Sequence, residues 1–111
     1  MVQAIGDPRV KLPGTVRPGE VFEIKTLIAH PMDLGRRQDA QGRPIPRRII
    51  RKFICTADGL EVFSADLNTG VAANPYIAFF CRLERSAELL FTWFDDNGDI
   101  YTLARRVEVV D

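Results

Sequence analysis

The sequence predicts an all-β fold, a sandwich of two antiparallel sheets with about seven strands. Three observations carry this: short runs of alternating apolar and polar residues, turn-forming residues between them at regular spacing, and no helical period of any length. A chain of 111 residues that is 46% hydrophobic has apolar material for one core, so a single domain over 1–111 is expected. Seven short strands in that length give an immunoglobulin-like architecture.

Val10 and Leu12 begin a first strand that Pro13-Gly14 ends. Arg17-Pro18-Gly19-Glu20 then turns the chain into a strand from Val21 to Ala29, with Phe22, Ile24 and Ile28 on one face and Glu23 and Lys25 on the other. Ile49 to Ala57 and Leu60 to Leu67 form a hairpin across Asp58-Gly59, a strong two-residue turn signal. Asn68 to Asn74 crosses over, and Pro75 keeps Asn74 extended. In Tyr76 to Leu83 the set Ile77, Phe79, Cys81 and Leu83 is expected to face the core. A last hairpin joins Glu88–Phe94 to Ile100–Val110 through an Asn97-Gly98 turn of positive φ, with Phe91 and Trp93 at the centre of the core.

The stretch from His30 to Arg48 stands apart, because it has no periodicity and exceeds the usual length of a connection. Its prolines, its glycines and the turn Asp39-Ala40-Gln41-Gly42 predict an ordered loop, with Met32, Leu34 and Ile45 as apolar anchors. From His30 to Lys52 there are seven basic and two acidic residues, a local charge of +5 in a chain of net charge zero. Such polarisation along the sequence points to docking.

The chemistry is sparse. His30, Cys55 and Cys81 have no metal-ligand spacing, and no nucleophile elbow accompanies the single histidine, which is read as capping a strand end or touching a partner. Asp95, Asp96 and Asp99 lack the spacing of a calcium loop and are read as a solvated acidic turn. Both cysteines lie in apolar strands, the setting of packed thiols, although a cross-sheet disulfide stays open. No aromatic residue lies between His30 and Lys52, so the basic cluster lacks the stacking platform of a nucleic-acid site. The longest apolar runs are a handful of residues, too short to span a membrane.

Several segments resemble one family: Ala29-His30-Pro31-Met32, then Asp39-Ala40-x-Gly42-x-Pro44-Ile45-Pro46-Arg47, then Asn74-Pro75-Tyr76 and Phe91-x-Trp93-x-Asp95-Asp96-x-Gly98. In order and spacing they are similar to the Z subunit of the Sox sulfur-oxidation carrier, the SoxZ family. The resemblance implies a non-catalytic immunoglobulin-like subunit, without cofactor or metal, in a heterodimer with a Y subunit. The cysteine on that partner's glycine-rich tail carries thiosulfate-derived sulfur and is presented to other Sox enzymes, met transiently. It also implies a periplasmic protein co-exported with its partner, since MVQAIGDPRVKLPG has no signal-peptide pattern; expressed alone, it would stay in the cytoplasm. The last residues, Arg105 to Asp111, contain no glycine or cysteine and are not expected to form such an arm.

The expected partner-binding residues are His30, Met32, Arg36, Arg37, Ile45, Arg47 and Arg48 on the loop, and Ile50, Ile54, Tyr76 and Phe80 on strands, where they alternate with the presumed core set. Exposed apolar residues of this kind would favour self-association of the isolated chain. Two further classes are a free-standing immunoglobulin-like binding module and a small thiol-redox protein using Cys55 and Cys81.

Overall fold

The computed structural model describes residues 6–36, 38–68 and 70–111. Among them lie eight strands: β1 (Pro8–Lys11), β2 (Thr15–Val16), β3 (Val21–Ile28), β4 (Ile50–Ala57), β5 (Leu60–Asp66), β6 (Tyr76–Arg82), β7 (Ala87–Asp95) and β8 (Ile100–Val109). They form two sheets, ordered β1-β3-β6 and β2-β8-β7-β4-β5, packed as the expected all-β sandwich. The seven expected strands appear with their ends moved by a residue or two. The eighth, β2, is two residues long and pairs parallel with β8, so the architecture is not wholly antiparallel.

Local chemistry explains the hairpins. Asp58 and Gly59 both adopt positive φ, 47° and 88°, the requirement of the two-residue turn whose twist matches its flanking strands. The β7–β8 turn is different. Gly98 has φ 93° and its N–H bonds to the Asp95 carbonyl, while Asn97 is not left-handed and instead accepts the Asp99 N–H through its side chain. Asn74, read as extended before Pro75, has φ 53°.

Alternation places Phe22, Ile24 and Ile28 of β3 and Phe79 and Cys81 of β6 inward against Phe53, Cys55, Leu89, Phe91 and Trp93. Phe91 and Trp93 are fully buried as expected, but the hub is Phe53. Its ring lies 5.1 Å from Trp93, 6.0 Å from Phe79 of the facing sheet, 6.1 Å from Phe63 and 6.4 Å from Phe91. Centroid separations of this size are those at which aromatic pairs gain beyond their buried area. The Trp93 indole N–H is the one buried side-chain polar atom among the described residues without a hydrogen-bond partner. Leaving it so costs about 1–3 kcal/mol, which the packing must outweigh.

A bulge reshapes β4. Ile50 pairs with Asp95 and Lys52 with Phe94, so two steps on β4 answer one on β7. Strict alternation from Ile54 would turn Ile50 outward; the extra residue turns it into the core, where it is 0% exposed.

Removing the aromatic hub should be far more costly than removing an outward ring. Phe53→Ala is expected to lower stability by about 3–5 kcal/mol, and Phe80→Ala, at 70% exposure, by about 0.5 kcal/mol or less. Urea unfolding of both variants checks the contrast.

Candidate functional site

The long connection between β3 and β4 is a folded excursion. Its neck is closed by paired backbone hydrogen bonds between Asp33 and Arg48, each N–H reaching the other's carbonyl at 2.7 Å. Its far end is closed by a bridge between Gln38 and Pro44 and by the Asp39 carboxylate, which accepts the N–H groups of Gln41 and Arg43 at 2.9 Å. These are the internal partners that a long loop needs in order to stay ordered.

What fixes the excursion to the body is a buried polar knot. At the end of β3, His30 bonds to Asn74 twice: its N–H meets the side-chain oxygen at 2.9 Å, and its carbonyl takes the Asn74 N–H at 2.7 Å. The imidazole then lies inside the protein, with Nδ1 accepting the Met32 N–H at 2.9 Å. A nitrogen that accepts carries no proton, so the neutral ring is protonated at Nε2, which donates to Asp95 Oδ2 at 2.8 Å. The same oxygen accepts Arg48 Nε at 3.0 Å and faces the Tyr101 hydroxyl at 3.4 Å. The other, Oδ1, accepts the Asn97 N–H at 3.1 Å and so holds the β7–β8 turn.

Burial alone would push the Asp95 carboxyl up. The Asn97 N–H, His30 and Arg48 outweigh it and hold the group below the ordinary carboxylate range. Tyr101 is raised, by its own burial and then by the Asp95 charge. Beside the knot, Met32 adopts φ 51° and turns its thioether under the loop, where Sδ accepts the Ile50 N–H at 3.2 Å. Next to it the Asp96 carboxylate takes Arg47 Nε at 2.9 Å and the Ile49 N–H at 3.3 Å.

The expected binding residues fall into separate groups. His30, Met32 and Ile50 are 1%, 4% and 0% exposed. They support the loop from below and offer no surface, a correction whose causes are the buried His30–Asp95 bond, the left-handed turn at Met32 and the β4 bulge. Asp95, read as solvated, is buried at 1% exposure. Arg47 and Arg48 are bound to Asp96, Asp95 and Asp99, so the positive charge of the loop is partly answered by the neighbouring hairpin. Arg36 is exposed, and with Pro31, Met32, Leu34 and Ala73 it lines an open cleft of about 390 Å³. Ile45 and Ile54 are half-buried, while Tyr76 and Phe80 stand out on the opposite sheet at 60% and 70% exposure. Arg37 lies outside the described residues.

The knot has two members of a proton-relay triad and no third. Both ring nitrogens of His30 are engaged, and neither hydrogen bond involves a nucleophile. Cys55 and Cys81 are free and buried. Burial, with the neighbouring Cys81, pushes the Cys55 thiol up to about 12, and burial raises Cys81 as well, which keeps both protonated and unreactive near neutrality. Among the described residues, no three His, Cys, Asp or Glu side chains gather as a metal-binding group.

The chain is thus an all-β sandwich whose buried histidine holds a long loop and whose two thiols are sealed in the core. The chain belongs to the SoxZ family: the family model described as sulphur oxidation protein SoxZ matches residues 10–104. No curated protein matches it significantly. Among solved structures it is similar to the superoxide reductase (neelaredoxin) of Ignicoccus hospitalis, at 16% identity and TM-score 0.69, covering 93% of this chain and 80% of that one. It is likewise similar to a putative superoxide reductase of Thermotoga maritima, at 17% identity and TM-score 0.70, covering 94% and 86%. The sulfur carrier protein SoxY of Chlorobium limicola f thiosulfatophilum is similar at 14% identity and TM-score 0.64, covering 94% and 79%. At such identities the likeness is one of fold alone.

Asp95→Asn should lower stability at pH 7 by about 2–3 kcal/mol, since it removes hydrogen bonds to a charged acceptor. The folded carboxyl titrates below its unfolded value of about 3.9, so its contribution is complete above that pH and fades as pH falls through the lower, folded value. The gap between wild type and variant should therefore narrow below about pH 4. Denaturant titrations at pH 7 and pH 3 measure it. Iodoacetamide at neutral pH should leave Cys55 and Cys81 unlabelled until the protein is unfolded, as read by intact-mass spectrometry.

Proposed function

We propose that this protein is the non-catalytic subunit of a SoxYZ-type sulfur-carrier heterodimer in thiosulfate oxidation. It is the rigid body that holds a SoxY-like partner and presents that partner's cysteine-bearing arm to the other Sox enzymes. The carrying observation is the family match over residues 10–104, which covers the loop, the knot and both sheets. The buried thiols support it: a carried sulfur needs an accessible thiolate, and Cys55 and Cys81 are placed to avoid forming one. The same burial weighs against the small thiol-redox reading. The ordered loop on a sandwich body suits presentation, since rigid scaffolds carry recognition on such elements. A periplasmic site of action is part of the same proposal and rests on the family.

Mixing the purified chain with a cysteine-tailed SoxY subunit should give a complex of equal stoichiometry by size-exclusion chromatography. Loading it with thiosulfate through the pathway's enzymes should place the sulfur adduct on the partner's tail, read by peptide mass spectrometry. Absence of a complex, or an adduct on Cys55 or Cys81, would refute the proposal.

A further inference from the structure

We infer that the outer face of the five-stranded sheet is the surface on which the SoxY-like sandwich docks, sheet against sheet; this rests on the heterodimer proposed above. The register sets the face out row by row. Ile54 of β4 stands beside Thr92 of β7, which stands beside Thr102 of β8. In the next row Thr56 stands beside Leu90, and Leu90 beside Ala104. Phe94 and Ile100 extend the block at one end, and Ile100 is 57% exposed. Across β4, β7 and β8 these rows contain no charged side chain, in a chain of which 27% of residues are charged; on the edge strand β5, Ser64 stands beside Ile54 and Glu61 beside Thr56. A sheet face meant for water carries polar and charged residues outward, whereas a face low in charge and rich in β-branched and apolar residues suits burial.

Charges resume at the ends of the block and, with Glu61, along its β5 side. Lys52 stands beside Phe94 at one end, where the Arg51 guanidinium also lies 5.5 Å from the Phe94 ring centroid, and Glu88 pairs with Arg106 at the other. An uncharged centre within a charged rim is how a protein interface is built.

The rival face, on the outside of β1-β3-β6, is different. Its two large exposed rings are separated by charge: Phe80 stands beside Glu23, and Lys25 beside Ala78 lies between Phe80 and Tyr76. Isolated outward rings of that kind are ordinary surface.

Size and shape favour a second sandwich as occupant. With its charged rim included, four strands at about 4.8 Å and nine residues of β7 at about 3.4 Å make a face of roughly 19 by 30 Å. Corrugated by side chains, that approaches the roughly 800 Å² per partner of a stable interface. A peptide or a single helix would cover only a strip of it, and the SoxY carrier shares this sandwich architecture over 94% of the chain.

Two variants place charge in the block, Leu90→Lys and Ala104→Arg. Ala104 is exposed, so its replacement removes no core packing and decides the matter should Leu90→Lys fail to fold. Titration calorimetry with the SoxY subunit should show each variant binding at least about 30-fold more weakly than wild type, the loss typical of a central interface position, with unchanged far-ultraviolet circular dichroism. The loss should exceed that of Phe80→Lys on the opposite sheet. Wild-type affinity in Ala104→Arg, or a larger loss in Phe80→Lys, would overturn the docking face while leaving the heterodimer intact. So would a self-association of this chain that Ala104→Arg abolishes without affecting SoxY binding. If wild type bound no SoxY subunit, both the face and the heterodimer would fall.

Discussion

Asp95 keeps a charged carboxylate inside the protein, where an isolated charge could not remain, and its partners come from every part of the chain that must be brought together. His30 arrives from the end of β3, Arg48 from the far side of the long loop, Asn97 from the β7–β8 turn and Tyr101 from β8. Satisfying one carboxylate thus fixes where the loop leaves the sandwich, where it returns and how the hairpin beside it is held. Because the solution is a network, each member loses its geometry when another is removed. The Asn74 clamp on the His30 backbone carries the constraint into the crossing segment before β6.

This arrangement changes the meaning of the basic loop. Read as a string, residues 30–52 carry a surplus of five positive charges. In three dimensions Arg47 and Arg48 answer the acids of the adjacent hairpin, so the surplus there is spent locally, and Arg36 at the open cleft is left exposed. The loop and hairpin therefore form one electrostatic unit. Long-range steering depends on charge that is not already paired, and a paired arginine contributes mainly through geometry.

The two outer faces divide in a similar way. The three-stranded sheet mixes Glu23, Lys25 and Arg82 with Phe80 and Tyr76, whereas the five-stranded sheet keeps its charges around the edges of a block on β4, β7 and β8 that has none. Both faces cover the same core, in which Phe53 of the large sheet packs against Phe79 of the small one.

The sequence by itself determined the strands, the Asp58-Gly59 turn and the inward sets Phe22-Ile24-Ile28 and Phe79-Cys81-Leu83, because period and turn chemistry are local properties. It also marked the loop as ordered, and its segments carried the likeness to the SoxZ family. The two-residue β2 has no signature in the sequence, since two residues have no period and its pairing is made by the distant β8. Three further features were decided by tertiary structure. The β4 bulge turned Ile50 inward, because register is a property of two strands. Asp95 left solvent because His30 and Arg48, 65 and 47 residues away, converge on it. The uncharged block on the large sheet emerged only when Ile54, Thr92 and Thr102 were aligned side by side, and alternation along any single strand cannot show what its neighbours contribute to the same face.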